Sequence, residues 1–276
     1  MAKKIICIGS GNMGTALMKG LVPLAGKENI GFCDSNPSKA KAAAASMDAK
    51  VYDSNSLAVE QADYFFLAVK PQILSTVLEE IRDAVKERLQ ADKSRPLALI
   101  SMAAGWPIAK MRNCLGVNVP MARIMPNTPA LISRGVVSLS AAPDFPPELL
   151  LDLEKILSSA GLVDRLEESY MDSATGLSGT GPAFVYIFIE ALADGGVRAG
   201  LPRDKAMLYA TQTVLGAAAM VLDSGKHLGE LRDMVTSPGG TAIAGITALE
   251  NGAFRASVIN AVEAAWRRSV ELSTGS

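Results

Sequence analysis

The sequence predicts two domains: an α/β domain with a doubly wound, mainly parallel sheet over residues 1–165, and an all-helical domain over residues 166–276. Two observations support this division. Up to about Arg165, short β-branched runs alternate with helical patterns, which is the order of elements in βαβ units. After Glu167 the strand signals stop, and only alanine-rich helical segments follow. A chain of 276 residues is long enough for two domains with cores of their own.

Seven strands are predicted in the first domain, each a short apolar run bounded by turn residues. They are Lys4–Ile8, Ile30–Cys33, Tyr64–Ala68, Leu97–Ser101, Met121–Ile124, Val136–Ser140 and Leu162–Asp164. The helices between them carry start signals. Asn36 can cap a helix that has Pro37 at its first position, and Pro107 and Pro147 open later helices.

Six helices are predicted in the second domain. They are Tyr170–Ser178, Pro182–Ala199, Pro202–Asp223, Leu228–Val235, Thr241–Asn251 and Phe254–Leu272. Several of them are apolar on more than one face, as between Ala206 and Leu222, so they must be enclosed on most sides. Together with a positive mean hydropathy of +0.23, this predicts an intertwined homodimer.

Composition argues against several classes of function. A net charge of −1 gives no attraction for nucleic acid or for an anionic membrane surface. The single histidine, His227, cannot build an imidazole zinc site or a Ser-His-Asp relay, so no metal is expected. Cys7, Cys33 and Cys114 form no CxxC pair and indicate free thiols in a reducing compartment.

The longest apolar run in the most hydrophobic stretch, Ala183–Ile189, is far shorter than the roughly 20 residues that span a bilayer. With an apolar start too short for a secretory signal, the sequence predicts a cytoplasmic protein without membrane or nucleic-acid partners.

The first predicted strand runs directly into Gly9-Ser10-Gly11-Asn12-Met13-Gly14, and a helical pattern follows. This is the G-x-G-x-x-G arrangement of a Rossmann-type dinucleotide-binding domain. Gly9 makes the tight turn, Gly11 lets the backbone approach the pyrophosphate, and Gly14 allows the helix to pack close to the sheet. We therefore predict that residues 9–14 bind a nicotinamide dinucleotide, with its pyrophosphate at the helix N-terminus.

The choice between NAD and NADP depends on the end of the second strand. Asp34 lies about 20 residues beyond the glycine motif, where a carboxylate often accepts hydrogen bonds from the 2′-hydroxyl of NAD. If Asp34 turns away, the 2′-phosphate of NADP can instead bind four nearby donors, which are Ser35, Asn36, Lys39 and Lys41. Asp34 can also be a capping or turn residue. The residues alone leave both cofactors open.

Two further segments follow buried strands at the edge where α/β proteins bind ligands. Ala68-Val69-Lys70-Pro71 follows the third strand, and Lys70 either faces the cofactor, as a candidate catalytic group, or is a solvated loop lysine. Ala103, Ala104 and Gly105 follow the next strand, where small residues either leave room beside the nicotinamide or serve packing.

The helical domain contains a second glycine signal. Ser237-Pro238-Gly239-Gly240-Thr241 immediately precedes an apolar helix. Two glycines leave the N–H groups at a helix N-terminus unobstructed, which suits a small carboxylate or phosphate, although an ordinary interhelical turn is the alternative. Residues 177–182 likewise either expose backbone donors to a substrate or form a helix–helix corner.

Several segments, in this order, resemble the Δ1-pyrroline-5-carboxylate reductase family, within the 6-phosphogluconate-dehydrogenase-like group of Rossmann enzymes. The segments are Gly9–Gly14, Ala68–Pro71, Met125–Pro129, Leu177–Pro182, Ala193–Val197 with Gly200–Pro202, and Ser237–Gly240. The most specific stretch, Leu231–Thr241 followed by Leu249-Glu250, looks like the C-terminal signature of that family. The resemblance covers nearly the whole chain and implies reduction of the cyclic imine L-Δ1-pyrroline-5-carboxylate to L-proline, the last step of proline biosynthesis. It favours NADPH, with NADH as the alternative. An imine can carry its own proton, so the missing histidine network presents no obstacle.

The resemblance also implies roles for particular residues. Cofactor contacts are implied at Ser10, Asn12, Met13, Ser35, Asn55, Val69, Lys70 and Ala104. Substrate contacts are implied at Glu168, Val235, Thr241 and Ala242, and the glycine cradle adds Ser237, Gly239 and Gly240. The family usually has a threonine where this chain has Ala242, so Thr241 or an ordered water must donate the proton to the ring nitrogen. The resemblance further implies a helical domain exchanged in a homodimer, with larger rings of dimers allowed.

Two other functions stay open from the residues. A related β-hydroxyacid-type dehydrogenase shares the domain plan but needs a base, which those families place as a lysine on the helix after the second glycine motif. Residues 183–193 contain no lysine. A non-catalytic nicotinamide-binding sensor would keep residues 9–14 but would not need the cradle at 237–241.

Overall fold

A computed structural model describes residues 3–92 and 95–274. An eight-stranded sheet has the order β3-β2-β1-β4-β5-β6-β7-β8. Its strands are β1 Ile5–Ile8, β2 Ile30–Cys33, β3 Lys50–Val51, β4 Tyr64–Leu67, β5 Ala98–Ser101, β6 Met121–Pro126, β7 Gly135–Ala141 and β8 Gly161–Arg165. The seven predicted strands are confirmed. The structure adds β3, whose two residues are too few to give a sequence pattern.

Helices cover both faces of the sheet and then continue to the end of the described chain. The α-helices are α1 Asn12–Ala25, α2 Pro37–Ala45, α3 Asn55–Gln61, α4 Leu74–Ala91, α5 Ile108–Leu115, α6 Pro147–Leu157, α7 Met171–Ala174, α8 Gly181–Arg198, α9 Arg203–Ser224, α10 Leu228–Met234, α11 Thr241–Asn251 and α12 Phe254–Thr274. Short 3₁₀ turns occur at Lys27–Asn29, Pro71–Ile73, Thr128–Ile132, Ser158–Ala160 and Glu168–Tyr170, and Thr175–Gly179 form a π-helical turn. The predicted cap of α2 is confirmed, because the Asn36 side chain accepts hydrogen bonds from the N–H groups of Ser38 and Lys39.

The strands from β1 to β6 run parallel to their neighbours, whereas β7 runs antiparallel to β6 and β8 runs parallel to β7. The predicted end of β6 at Ile124 was wrong, because Pro126 still pairs with Val137. The strand order reverses direction between β1 and β4, which are neighbours in the sheet but distant in sequence. In doubly wound sheets a ligand crevice opens at such a point, beyond the carboxyl ends of the strands.

The core of the sheet domain has two apolar layers, one on each face. Side chains from α1, α2 and α6 pack on one face, around Leu17 and Leu153. Side chains from α3, α4 and α5 pack on the other face, around Leu78 and Met111. β1, β2, β4 and β5 are buried along their whole length, as expected for parallel strands covered on both sides. This three-layer arrangement confirms the predicted α/β fold class.

The chain divides into two compact units, Met1–Thr180 with Ala265–Ser276, and Gly181–Ala264. We call them the sheet unit and the helical unit. The predicted domain limits, 1–165 and 166–276, followed the change of sequence pattern and remain a prediction. Residues 166–180 and the end of α12 belong to the sheet unit because Asp172 on α7 binds Ser269 and Ser273 of α12.

The helical unit leaves much apolar surface uncovered. Its buried cluster is small, with Ala193, Ala206 and Ala210 where α8 packs on α9, while Ile187 and Leu222 are 66% and 83% exposed. Two helical stretches, Glu168–Arg198 and Arg203–Ser224, are long and apolar enough to span a membrane by length and composition alone, with 11% of each buried. The sequence argument from uninterrupted apolar runs missed them, because isolated polar residues break the runs without lowering the mean hydropathy much. An apolar surface of this extent marks an interaction face.

Candidate functional site

The glycine motif lies where β1 ends and α1 begins. Gly9 has a φ of +102°, and a Cβ atom there would lie 2.6 Å from the carbonyl oxygen of Ala68. At Gly14 a Cβ atom would lie 2.8 Å from the Ala68 Cβ, so both positions require glycine for packing. Gly11 differs, because no atom lies within 4 Å of the position of its Cβ. The backbone at Gly11 is therefore open to a ligand.

The residues around this turn fit a pyrophosphate. The hydroxyl oxygen of Ser10 is buried and has no hydrogen-bond partner among the described residues. Gly11 is the N-cap of α1, and its carbonyl accepts a hydrogen bond from the Thr15 N–H. The N–H groups of Asn12, Met13 and Gly14 stay free for an anion, as at any helix N-terminus. A phosphate at this position would satisfy both the hydroxyl and the helix dipole.

A cavity of about 230 Å³ begins at this turn and runs along the carboxyl edge of β1, β2 and β4. It is lined by Ile8, Gly9, Gly11, Asp34, Ser35, Lys39, Asn55, Ala68, Val69, Lys70, Ile73 and Val77. Eight of the predicted cofactor residues line this cavity, while Ser10, Asn12, Met13, Gly14, Asn36 and Pro71 are their neighbours in the chain. The structure therefore brings together residues from four separate parts of the chain, 9–11, 34–35, 55 and 68–70. Sequence reasoning missed Ile8, Ile73 and Val77, which are apolar residues without a motif.

Asp34 lines the cavity, and both of its carboxylate oxygens accept hydrogen bonds from the backbone. Its Oδ2 accepts a hydrogen bond of 2.7 Å from the Ser10 N–H, and its Oδ1 accepts one of 2.9 Å from the Asn36 N–H. The carboxylate therefore ties the glycine turn to the start of α2. Of the alternatives raised by the sequence, these contacts are those of a turn residue. Ser35 and Lys39 are the neighbouring donors that line the cavity. Lys41 does not line it.

Two more predicted segments follow β4 and β5. Lys70 is exposed after β4 and makes no ion pair among residues 3–92 and 95–274. The indole N–H of Trp106 donates to the Pro71 carbonyl at 2.9 Å, which links the two loops. Ala104 is partly exposed, whereas Gly105 is buried with a φ of +72°, and a Cβ atom there would lie 2.6 Å from the Leu272 carbonyl oxygen. Gly105 therefore serves packing against α12.

The thiols nearest this cavity are not nucleophiles. Burial, with smaller contributions from the charges of Glu80 and Asp34, raises the pKa of Cys33 to about 11. Burial also raises the pKa of Cys7, whose Sγ donates to the Gly9 carbonyl. Both groups stay neutral thiols at physiological pH, because the thiolate forms only near the pKa.

The predicted substrate residues fall into two places. Glu168 lies in the sheet unit, where its Oε1 accepts a hydrogen bond of 2.6 Å from the Ile108 N–H at the start of α5. It lines a separate cavity of about 770 Å³ that also contains Ile108 and Arg112. The remaining residues, Val235, Ser237, Gly239, Gly240, Thr241 and Ala242, form the loop between α10 and α11 in the helical unit.

The loop 235–242 has the open backbone expected of a cradle, with one correction. Gly239 has a φ of +67°, and no atom lies within 4 Å of the position of its Cβ. The N–H of Gly240, which was expected to hold a carboxylate, instead donates to the Ser237 carbonyl at 3.0 Å and closes the turn. Gly240 is the N-cap of α11, so the N–H groups of Thr241, Ala242 and Ile243 are the free donors of the first helical turn.

No group of three or more His, Cys, Asp or Glu side chains that could hold a metal ion occurs among the described residues. The backbone donors, the buried hydroxyl of Ser10 and the lysines beside the cavity all suit anionic groups. The glycine turn and its cavity can bind a dinucleotide, and the loop 235–242 can bind a small carboxylate.

Two family models match the chain in succession. Residues 4–105 match the model "NADP oxidoreductase coenzyme F420-dependent", and residues 168–272 match "Pyrroline-5-carboxylate reductase dimerisation". The first match contains the glycine turn and the cavity beside it. The second contains the loop 235–242 and both long apolar helices.

Whole-length relatives agree with both models. The pyrroline-5-carboxylate reductase of Methanosarcina acetivorans is 42% identical over 98% of both chains, and that of Escherichia coli K12 is 37% identical over 99% of both. Among solved structures, the Plasmodium falciparum pyrroline carboxylate reductase with NADP bound superimposes with a TM-score of 0.87 at 32% identity, covering 98% of both chains. A prephenate dehydrogenase from A. aeolicus, at 14% identity and a TM-score of 0.53, shares the fold alone.

Proposed function

The chain belongs to the pyrroline-5-carboxylate reductase family, and on that premise we propose which of its residues carry the reaction. The protein is an oxidoreductase that reduces L-Δ1-pyrroline-5-carboxylate to L-proline with NADPH, the last step of proline biosynthesis. The observation that best supports a working cofactor site in this chain is the open turn at Gly11 beside the unpartnered hydroxyl of Ser10.

NADPH is assigned to the cavity of the sheet unit, with its pyrophosphate on residues 10–14 at the start of α1. The preference for NADPH over NADH is assigned because each oxygen of Asp34 already accepts a hydrogen bond from an N–H group, which leaves fewer acceptor sites for a 2′-hydroxyl. Ser35 and Lys39 then bind the 2′-phosphate, since a lysine ammonium and a hydroxyl both donate to it. Asn55, Ala68, Val69 and Lys70 line the rest of the cavity, and Ala104 follows toward the nicotinamide.

The substrate carboxylate is assigned to the loop 235–242, where the N–H groups of Thr241 and Ala242 are free. When bound, NADPH supplies a hydride. The chain contributes orientation, since the substrate nitrogen can already carry its proton as an iminium. Thr241 is the side-chain hydroxyl nearest to the position of Ala242 in sequence and is our candidate proton donor. Lys70, at the edge of the cofactor cavity, is the second catalytic candidate.

The protein self-associates and is soluble, because the residues of its long apolar helices match the dimerisation model of the family. The apolar faces of α8 and α9 are then covered by a second copy rather than by lipid. We propose a homodimer that can assemble further into rings, in the cytoplasm. Its partners are a second copy of itself and a small-molecule substrate.

The direct test follows the absorbance of NADPH or NADH with pyrroline-5-carboxylate added and in controls without substrate. We expect substrate-dependent oxidation of both cofactors, with a higher kcat/KM for NADPH. Saturable NADPH binding without turnover would contradict the proposed reaction and favour a sensor. A higher kcat/KM for NADH would contradict the role assigned to Ser35 and Lys39.

The assignment of the carboxylate to α11 predicts the effect of Gly240→Val. The new side chain would overlap the Ser237 Oγ and screen the free N–H groups of Thr241 and Ala242. Hydrogen bonds to a charged group contribute about 1.5–3 kcal/mol each, so KM for the imine should rise roughly 10–100-fold. The dissociation constant of NADPH, measured by fluorescence titration, should stay within about twofold.

Gly252→Ala is the matched control, at the opposite end of the same helix, where a Cβ atom makes only ordinary contacts. It should leave KM for the imine unchanged. Equal KM values for Gly240→Val and the unaltered protein would remove the loop 235–242 from substrate binding.

A further inference from the structure

Arg123 is a charged side chain in the centre of the sheet. It lies on β6, is 1% exposed and is the largest fully buried side chain of the described chain. Its neighbours in register on β5 and β7 are Ser101 and Ser140, which are also buried. Paired residues share a face of a sheet, so these three polar side chains form one row beneath α5. Burial of a guanidinium without partners would be strongly destabilising.

Two carboxylates compensate this charge, and both come from the segment that follows the sheet. Asp172 Oδ1 lies 3.4 Å from Arg123 Nη2, and Glu168 Oε1 lies 3.9 Å from Arg123 Nη1. The Nε atom has no hydrogen-bond partner among the described residues. The arginine is therefore held by charge rather than by a complete set of hydrogen bonds, which makes its position depend on these two acids.

Asp172 has further partners at the far end of the chain. The same Oδ1 atom accepts hydrogen bonds from Ser269 Oγ at 2.8 Å and from Ser273 Oγ at 2.9 Å. Three donors therefore meet at a single carboxylate oxygen. The hydrogen bonds join α7 to the last two turns of α12, and Ser269 is itself buried.

These contacts occur where the chain leaves the sheet unit and returns to it. The helical unit occupies 181–264, so the outgoing segment is 171–180 and the returning segment begins at Ala265. The two segments also touch directly, since a Cβ atom at Gly176 would lie 2.8 Å from the Trp266 backbone nitrogen. One carboxylate therefore fastens both segments to β6.

We propose that Asp172, held by Arg123, is a positioning residue for the reduction. It fixes the two segments through which the chain enters and leaves the helical unit. That unit contains the loop 235–242, which binds the substrate in the proposed function, on which this inference rests. Loss of the serine contacts frees the returning segment while Arg123 keeps its counter-charge. We expect the loosened segment to weaken substrate binding and slow hydride transfer, and to leave the cofactor cavity intact.

The test is the double variant Ser269→Ala with Ser273→Ala, which keeps the buried ion pair and is expected to fold. Asp172→Asn is the second variant, which keeps the shape of the side chain and removes its charge. The control is Ser257→Ala on the same helix, because that hydroxyl is exposed and bonds only to the Ala253 carbonyl of its own helix. The measurements are kcat and KM for the imine, the dissociation constant of NADPH, and hydrogen exchange of residues 171–180 and 265–274.

We expect the double variant to lose about 10-fold or more in kcat/KM for the imine. NADPH affinity should stay within about twofold, and both segments should exchange faster than in the Ser257→Ala control. The proposal is overturned if kcat/KM stays within twofold of an active parent, or if NADPH affinity falls as much as kcat/KM does. An inactive parent protein would refute the proposed function, whereas the exchange of the two segments tests the fastening by itself.

Discussion

Replacing Gly9 by alanine should abolish detectable NADPH binding and lower the free energy of unfolding by about 3 kcal/mol. The residue has a φ of +102°, which an alanine adopts only with strain. Its new Cβ atom would lie 2.6 Å from the Ala68 carbonyl oxygen and would push β4 away from the turn. Because the cofactor cavity is lined by residues 68–70 on one side and by Gly9 on the other, this shift changes the cavity itself. Urea unfolding and a fluorescence titration with NADPH measure the two effects.

Gly11→Ala separates the two effects and is the matched control. No atom lies within 4 Å of the position of its Cβ, and its φ of −69° suits alanine, so the stability should change by less than about 0.5 kcal/mol. NADPH affinity should nevertheless fall roughly 10-fold or more, because the methyl group occupies the space where the pyrophosphate approaches the backbone. If Gly11→Ala bound NADPH as tightly as the parent, the open turn would not be the pyrophosphate site.

Lys39→Glu should raise KM for NADPH roughly 30–100-fold and leave KM for NADH within about threefold. The side chain lines the cavity beside Ser35, and the proposed function places the 2′-phosphate there. A charge-assisted hydrogen bond to phosphate contributes about 1.5–3 kcal/mol, and a carboxylate at this position adds repulsion. Steady-state kinetics with both cofactors measure the change of preference.

Lys41→Glu supplies the control, because it alters the net charge by the same amount on the same helix but does not line the cavity. Its ratio of kcat/KM for NADPH to that for NADH should match the parent. Equal effects of the two substitutions would mean that the general field of α2, rather than a contact of Lys39, attracts the phosphate.

The fold was largely predictable because periodicity and turn residues act locally. The strands and their alternation with helices follow from runs of four or five apolar residues between glycine, proline and asparagine. β3 escaped prediction because two residues have no period, and the antiparallel direction of β7 depends on a reversal between residues 126 and 135 that no single motif encodes. The division near residue 165 followed a real change of pattern and stays a prediction. The buried pairing of Arg123 with Asp172 crosses that position, and no local pattern encodes it.

Within the site, glycines were easier to predict than acids. The tight packing at Gly9 and Gly14 follows from the motif, since the roles of these residues depend on the backbone alone. The roles of Asp34 and Gly240 could not be predicted in the same way. Whether a carboxylate or an N–H group is free to bind a ligand depends on its hydrogen bonds in the folded chain. The Asp34 carboxylate accepts one from the Ser10 N–H, and the Gly240 N–H donates one to the Ser237 carbonyl. A buried arginine was equally unpredictable, because its compensating acids lie 45 or more positions away.

The discontinuity of the sheet unit has a consequence for biosynthesis. Residues 265–274 complete a unit whose other parts end at Thr180, before the whole helical unit 181–264. On the ribosome, the eight strands can therefore form while Asp172 still lacks its serine partners and Gly105 and Gly176 still lack the helix that covers them. The sheet unit reaches its native packing only after synthesis of the helical unit has ended. In a nascent chain stalled before α12, the sheet could already be folded while the surface that α12 covers is still exposed. Such an exposed surface is a target for chaperones and proteases.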